Sequence, residues 1–464
     1  MLLNSRKLIN YLKLSLSVIL GKTLIFTHLL FYMSSELKVS EINVRALLGG
    51  TIGWMVDVFD LTLILFIASI IGGAFFPKTN PTAQLLYVFA SYSLTLLARP
   101  LGGIVFGHVA DRVGRRITML ITLIGLGVFS ALTGALPTYA QVGLIATALF
   151  VTLRLIVGIF VGGEVSGSHL IAVESSSPRF RGLVSGVIES GYYWGYALAA
   201  LTFALLRDYF GTSNFVAFGW RYAFLVGLVV ALIGVILRLT VDDPEIYKRA
   251  KATGNIAKIP IAELFKASTR DALVALLLLA GIFWVAYATL GFLPTYLTSF
   301  MKLPLNEAFW GLAYASLIGG VLTIAGGVLS NYTGRRRAFL VLIVVGIVLA
   351  YPLTIALKLG YTSLIISAGV LTSVIGTGGV MLAYLAELFP TRFRGSAVGF
   401  LWNMASIGAT GALLTSQYWL KTFGVVNGYV VLLIIGYVIG LIGVAITRDN
   451  TGIELDKVKE SLRE

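Results

Sequence analysis

The chain has no cysteine and only three histidines and eleven prolines in 464 residues. The missing cysteine excludes disulfides and thiolate metal sites, and it leaves the redox compartment open. So few histidines, one of them (His28) close to the start, are poor material for a metal cluster or a nucleophile–base set, so neither cofactor nor enzyme activity is expected. Charge is also scarce, at 12% of residues against about a quarter in an ordinary soluble domain. What is present is apolar: 58% hydrophobic residues, 51 glycines and a mean hydropathy of +0.91. That composition belongs in a bilayer, where glycine lets helix backbones approach closely. A net charge of +14 would suggest nucleic acid for a soluble protein. In a membrane chain it reads as loop charge facing the cytoplasm and anionic lipid, so the bilayer is the expected partner and nucleic acid is not.

Apolar runs of about 20 residues place twelve helices at roughly 44–74, 84–106, 117–136, 141–170, 183–206, 221–240, 272–298, 307–330, 338–357, 362–388, 396–416 and 427–447. With the residues before 44 inside, the inner loops, span ends and tail hold twenty-one Lys and Arg, and the outer loops hold five: Lys78, Arg207, Lys302, Lys358 and Lys421. The asymmetry predicts a cell-membrane protein with both termini cytoplasmic. The polar stretch 241–270 is the expected linker between an N-terminal six-helix half (33–240) and a C-terminal half (271–447), with a short charged tail at 448–464. Residues 1–32 fit poorly as a span, because Lys13 and Lys22 interrupt them and Leu14–Leu20 is too short to cross. A basic leader and an amphipathic surface helix are both open; the preferred expectation is that translation starts at Met33.

Two motifs occur twice. Gly107-His-Val-Ala-Asp111-Arg112-Val-Gly114-Arg115-Arg116 follows the second span, and Gly327-Val-Leu-Ser-Asn331-Tyr-Thr-Gly334-Arg335-Arg336 follows the eighth, 220 residues later (327 − 107). Glu174-Ser-Ser-Ser-Pro178-Arg179-Phe-Arg181-Gly182 follows the fourth span, and Glu387-Leu-Phe-Pro390-Thr-Arg392-Phe-Arg394-Gly395 follows the tenth. The chain is thus a duplicated all-α membrane bundle, and these motifs resemble the signature loops of the major facilitator superfamily. Further runs, Gly53-Trp-Met-Val-Asp57-Val-Phe59-Asp60, Ala98-Arg99-Pro100-Leu-Gly102-Gly103 and Arg154-Leu-Ile-Val-Gly158-Ile-Phe-Val-Gly162-Gly163-Glu164, look like its metabolite:proton and sialic acid or monocarboxylate:proton symporter branch. The resemblance covers about residues 40–450 and implies two parallel halves with the substrate between them at mid-membrane. It also implies that Gly107, Asp111, Arg112, Gly114, Arg115, Arg116, Glu174, Arg181, Gly327, Asn331, Gly334, Arg335, Glu387 and Arg394 form a cytoplasmic gate. The sequence departs from the pattern at Asn331, where aspartate is usual, and at Glu189, where relatives commonly carry glutamine.

An ionisable group inside a span costs roughly 2.5–3.5 kcal/mol on insertion scales, so each one is a functional candidate. Asp57 and Asp60 lie three apart on one face of the first span. Like charges in a low dielectric cannot easily both stay ionised, so one of the pair is expected to carry the coupled proton, with Glu189 next in line. Pairing of Asp60 with a nearby arginine is the alternative. Arg154 is expected either to grip an anion or to hold a fixed ion pair, while Gly158 and Gly162 on its face read as close helix contact. Glu189, Tyr192, Tyr193 and Tyr196 share one helix face suited to a polar solute in a mostly apolar cavity. Tyr287, Tyr384, Trp402 and Asn403 are the second-half candidates.

These readings lead to a proton-coupled symporter of a small organic solute, most readily a monocarboxylate or acidic sugar, acting as a monomer. Arg99 and Arg154 favour an anion and Glu189 argues against one, so a neutral sugar or polyol remains the alternative. A channel would need a continuous polar pore ring, and none is visible. A non-transporting sensor on the same frame stays open.

Overall fold

The computed structural model describes residues 44–78, 80–113, 115–164, 168–238, 260–373, 376–455 and Val458; the leader and most of the linker lie outside them. Ten helices among the described residues are long and apolar enough to cross a membrane. They fall in α1 (Val44–Phe66, resumed at Ala68–Phe75), α2 (Pro81–Val113), α3 (Arg115–Ala135), α4 (Leu144–Glu164, resumed at Ser168–Glu174) and α6 (Tyr222–Arg238). In the second half they are α7 (Thr269–Ala286, continued to Phe300), α8 (Leu305–Thr333), α9 (Arg335–Ala356), α11 (Arg394–Met404 and Ser406–Phe423) and α12 (Val425–Ile446). The two remaining crossings are α5 (Arg181–Ala217), made more polar by its glutamate and tyrosines, and α10, broken into Tyr361–Thr372 and Gly378–Leu388. The molecule is the expected twelve-helix bundle.

Three departures from ideal helices have local causes. α5 runs past its expected end near 206 to Ala217, with a kink at Gly211 (φ 71°), a value that glycine adopts without a Cβ clash. α7 turns π-helical over Tyr287–Gly291 and again over Tyr296–Phe300, on either side of Pro294, which has no N–H to give. α10 breaks before Gly376 (φ 83°), whose α-carbon crowds α8 so closely that an added Cβ would lie 2.6 Å from the Leu322 carbonyl oxygen.

Small residues set the packing. A Cβ on Gly158 would lie 2.2 Å from the Thr95 carbonyl oxygen, and one on Gly162 would lie 1.9 Å from that of Arg99, so α4 presses its backbone onto α2. The corresponding helices of the second half meet in the same way, a Cβ on Gly379 of α10 coming within 2.0 Å of the Thr323 carbonyl on α8. The close-contact reading of Gly158 and Gly162 therefore holds. Between the halves, α5 packs along α8 and α2 along α11. At the end that bears the basic loops, a Cβ on Gly327 of α8 would lie 2.2 Å from the Gly182 carbonyl oxygen of α5.

Gly158→Val forces α2 and α4 apart, an overpacking cost of about 1–3 kcal/mol. Thermal unfolding in detergent should show this loss, while Gly73→Ala, whose added Cβ meets nothing within 4 Å, should be neutral. Equal stability of the two variants would contradict the close-packing account.

Candidate functional site

A cavity lies between the two halves. Its walls come from Trp54 of α1, Arg99 of α2, and Glu189, Tyr192 and Tyr193 of α5 on one side. Opposite stand Phe283 and Tyr287 of α7, Thr323 of α8, Met381 of α10 and Trp402 of α11, with Ile282, Ala286, Leu290 and Gly378 filling the remainder. The π-helical turn of α7 begins at Tyr287, so the widened helix lies against the cavity itself.

Aromatic rings join the halves edge to face. Trp54 meets Tyr192 at 5.6 Å and Trp402 at 6.0 Å between centroids, and Trp402 meets Phe283 at 5.5 Å. Tyr193 crosses the same divide and donates its hydroxyl to the Thr372 carbonyl at 2.9 Å. Two charged groups face this aromatic lining. Arg99 is 1% exposed, and its Nε and Nη2 have no hydrogen-bond partner. Glu189 is also buried, with Oε1 unpartnered and the Trp54 indole facing its carboxylate. No ion pair joins Arg99 to Glu189, so the cavity holds a cation and an acid that do not answer each other.

The expected site residues divide. Glu189, Tyr192, Tyr193, Tyr287 and Trp402 come together in the cavity wall. Tyr196 does not line it: its ring packs on Phe66 of α1 at 4.6 Å. Tyr384 lies toward the basic end, its hydroxyl bonded to Thr447 and its ring on Phe339 at 5.5 Å. Asn403 donates from Nδ2 to the Gly162 carbonyl at 3.4 Å and so ties α11 to α4. Arg154 sits inside the first half, with Nη2 donating to Thr133 Oγ1 at 2.6 Å and the guanidinium over the Phe150 ring. Asp60 faces Ser130 and has Arg154 as its charged neighbour, beyond ion-pair distance. Asp57 is fully buried on the same helix. Trp54 and Thr323 were not singled out by the sequence, although Trp54 stands in the same glycine–tryptophan run as Asp57.

A second polar cluster closes the basic end. Glu387 accepts two bonds from Arg335, Nε to Oε2 at 2.9 Å and Nη2 to Oε1 at 3.0 Å, while Arg181 of the other half approaches to 3.5 Å. Arg394 of α11 donates to Glu174 of the first half at 3.1 Å. Asn331 serves where a carboxylate was expected: its Oδ1 accepts from the Gly182 N–H at 2.8 Å and from Arg335 Nη1 at 3.0 Å. Gly327 and Gly334 shape the close approach and the turn here, Gly334 at φ 88°. Of the first basic loop, Gly114 and the side chains of Asp111, Arg112, Arg115 and Arg116, together with the surroundings of Gly107, lie outside the described residues.

Comparison with known proteins agrees with this fold. The Major Facilitator Superfamily model matches residues 61–412. The chain is 30% identical over 400 residues to YhjE, an inner membrane metabolite transport protein of Escherichia coli K12, which covers 84% of this chain and 91% of that one. It is 28% identical over 389 residues to the proline/betaine transporter of the same organism, covering 81% of this chain and 77% of that one. Its fold matches the crystal structure of a D-xylose-proton symporter with a TM-score of 0.70, over 89% of this chain and 99% of that one, at 17% identity.

Glu387→Gln removes the buried carboxylate that Arg335 and Arg181 share and should destabilise the protein by about 3–5 kcal/mol. Asn331→Ala loses neutral acceptor bonds and should cost about 1–3 kcal/mol. Thermal unfolding of the two purified variants checks the order, and a larger loss for Asn331→Ala would contradict it.

Proposed function

The chain belongs to the Major Facilitator Superfamily and is a multi-pass membrane transporter of metabolites; from that premise we propose that it is a proton-coupled symporter of a small organic carboxylate, working by alternating access. The observation that carries the reading is Arg99, a buried guanidinium with Nε and Nη2 unpartnered in the wall of the cavity between the halves. A carboxylate fits the planar fork with two parallel bonds, and the aromatic lining takes the apolar body of the solute. The orientation we assign puts the basic end in the cytoplasm, from the twenty-one to five distribution of Lys and Arg. The halves are taken as 33–240 and 271–447, and a single chain supplies the whole cavity wall, which supports action as a monomer.

The coupling site we assign is Asp60, with Asp57 beside it in α1. A proton on Asp60 cancels its attraction for Arg154, so loading the proton loosens the contact between α1 and α4 inside the first half. Glu189 is the second candidate because it meets the solute directly. Glu189 also favours a narrower reading of the substrate. A carboxylate solute that carries a cationic group would place its anion at Arg99 and its cation among Glu189, Trp54, Tyr192 and Trp402, where ring faces and an acid both attract it. The proline/betaine transporter among the relatives supports that reading.

In proteoliposomes, Asp60→Asn should abolish uphill uptake driven by an imposed pH gradient and leave solute exchange without a gradient. Arg99→Gln should lower both by about tenfold or more, since it removes the anchor itself. Full uphill uptake by both Asp57→Asn and Asp60→Asn moves the coupling site to Glu189.

A further inference from the structure

We propose that Tyr196, Tyr296 and Tyr429 form a second carboxylate site, on the path from the end opposite the basic loops to the central cavity, where the solute stops before it reaches Arg99. Each of the three is fully buried, at 0% exposure, and each hydroxyl lacks a hydrogen-bond partner. A buried hydroxyl left unbonded costs its whole desolvation penalty, so three of them in one place are not explained by packing. They come from both halves: Tyr196 from α5, Tyr296 from the second π-helical turn of α7, and Tyr429 from the start of α12.

The three stand together. The rings of Tyr296 and Tyr429 stack at 4.2 Å between centroids. Tyr296 and Tyr196 are electrostatic neighbours of the Tyr429 hydroxyl, yet none of the three bonds to another. Tyr196 rests its ring on Phe66 at 4.6 Å, which leaves its polar tip as the part that meets a ligand. The level of the site along the bundle follows from α5. That helix starts at Arg181, in the basic end, and Tyr196 lies one turn, about 6 Å, beyond Tyr192 of the cavity wall. Tyr192 has both Tyr196 and Arg99 among its electrostatic neighbours, so phenol hydroxyls lead from the outer site to the guanidinium.

The donor set selects the ligand. A carboxylate offers about four acceptor positions and no donor, so it takes one bond from each of three hydroxyls. A neutral amide has half as many acceptor positions and brings N–H donors of its own. The hydroxyls are uncharged, so they hold a carboxylate less tightly than the Arg99 fork does, which suits a stop on the way in. Residues kept for binding at the expense of stability leave a second mark: removing the unbonded hydroxyl should not weaken the ligand-free protein. The inference rests on the carrier reading above for the direction of travel, and on the three hydroxyls alone for the binding.

The probes are propionate and its neutral twin propionamide, with chloride at equal ionic strength as the control. Binding is read as the rise in melting temperature of purified protein with probe concentration. Arg99→Gln removes the central anchor, so the outer site is read by itself. We expect propionate, and neither propionamide nor chloride, to stabilise Arg99→Gln. Adding Tyr296→Phe or Tyr429→Phe should weaken that binding about tenfold, the loss of one bond to a charged group. Without probe these two variants should melt at the same temperature as their parent or higher. A lower melting temperature in them, equal stabilisation by propionamide or chloride, or no stabilisation by propionate overturns the site. So does propionate binding that survives replacement of all three tyrosines by phenylalanine. If Arg99→Gln binds propionate through the tyrosines but the unsubstituted chain carries no carboxylate into proteoliposomes, the symporter reading fails and the site stands.

Discussion

Among the described residues five arginines are buried inside the bundle, Arg99, Arg154, Arg181, Arg335 and Arg394, and the need to answer each of them organises the rest of the molecule. A cation out of water is expensive unless hydrogen-bond acceptors surround it. Arg154 is answered within the first half by Thr133 and, at longer range, by Asp60. Arg181, Arg335 and Arg394 are answered at the basic end by Glu174, Glu387, Asn331 and the carbonyls of the segment after α12. Arg99 has two nitrogens, Nε and Nη2, with no acceptor, and it stands where the halves leave a space. In the function we propose, the acceptor that completes it is the cargo. On that reading the same kind of charge is satisfied within one half at Arg154, between the halves at the basic end, and by the substrate in the cavity.

The helices between these points are held by backbone contact more than by side-chain bulk. Glycines on α4 and α10 bring them against α2 and α8, so that Arg99 and Thr323 project into the cavity from helices that cannot easily shift. Rings then span the gap between the halves. Trp54 touches both Tyr192 of its own half and Trp402 of the other, so closing the cavity assembles an apolar lining, and opening it on either side must part those rings. The bonded network at the basic end and the aromatic layer in the middle are thus two separable contacts between the same rigid bodies.

Much of this was legible in the sequence. Twelve apolar runs, two duplicated loops and the glycine spacing around Arg154 gave the bundle, its internal repeat and a close helix contact along that face, while the partner helix, α2, came from the structure. The face Glu189, Tyr192, Tyr193 marked one cavity wall. Periodicity could not say where along the helix that face leaves the cavity, so Tyr196, on the same stripe, meets Phe66 instead. Tyr384 follows a break in α10 that depends on how closely Gly376 approaches α8, a tertiary contact with no local signature, and it falls near the gate rather than in the cavity. Asp57 and Asp60 suggested a carboxylate pair from their spacing, but the direction of Asp60 is set by Ser130 and Arg154 on other helices. The contacts of residues 449–455 were hidden for a related reason: they use main-chain carbonyls, which every sequence has.

The central claim is that the solute carboxylate completes the Arg99 guanidinium. It is tested most directly by binding to purified protein of a transported carboxylate and of its neutral amide of the same shape, each measured with the unsubstituted chain and with Arg99→Gln. The account predicts that the unsubstituted chain prefers the carboxylate by roughly tenfold or more, as charge-assisted paired bonds require, and that Arg99→Gln removes the preference while still binding the amide weakly. A preference that survives intact in Arg99→Gln would contradict it.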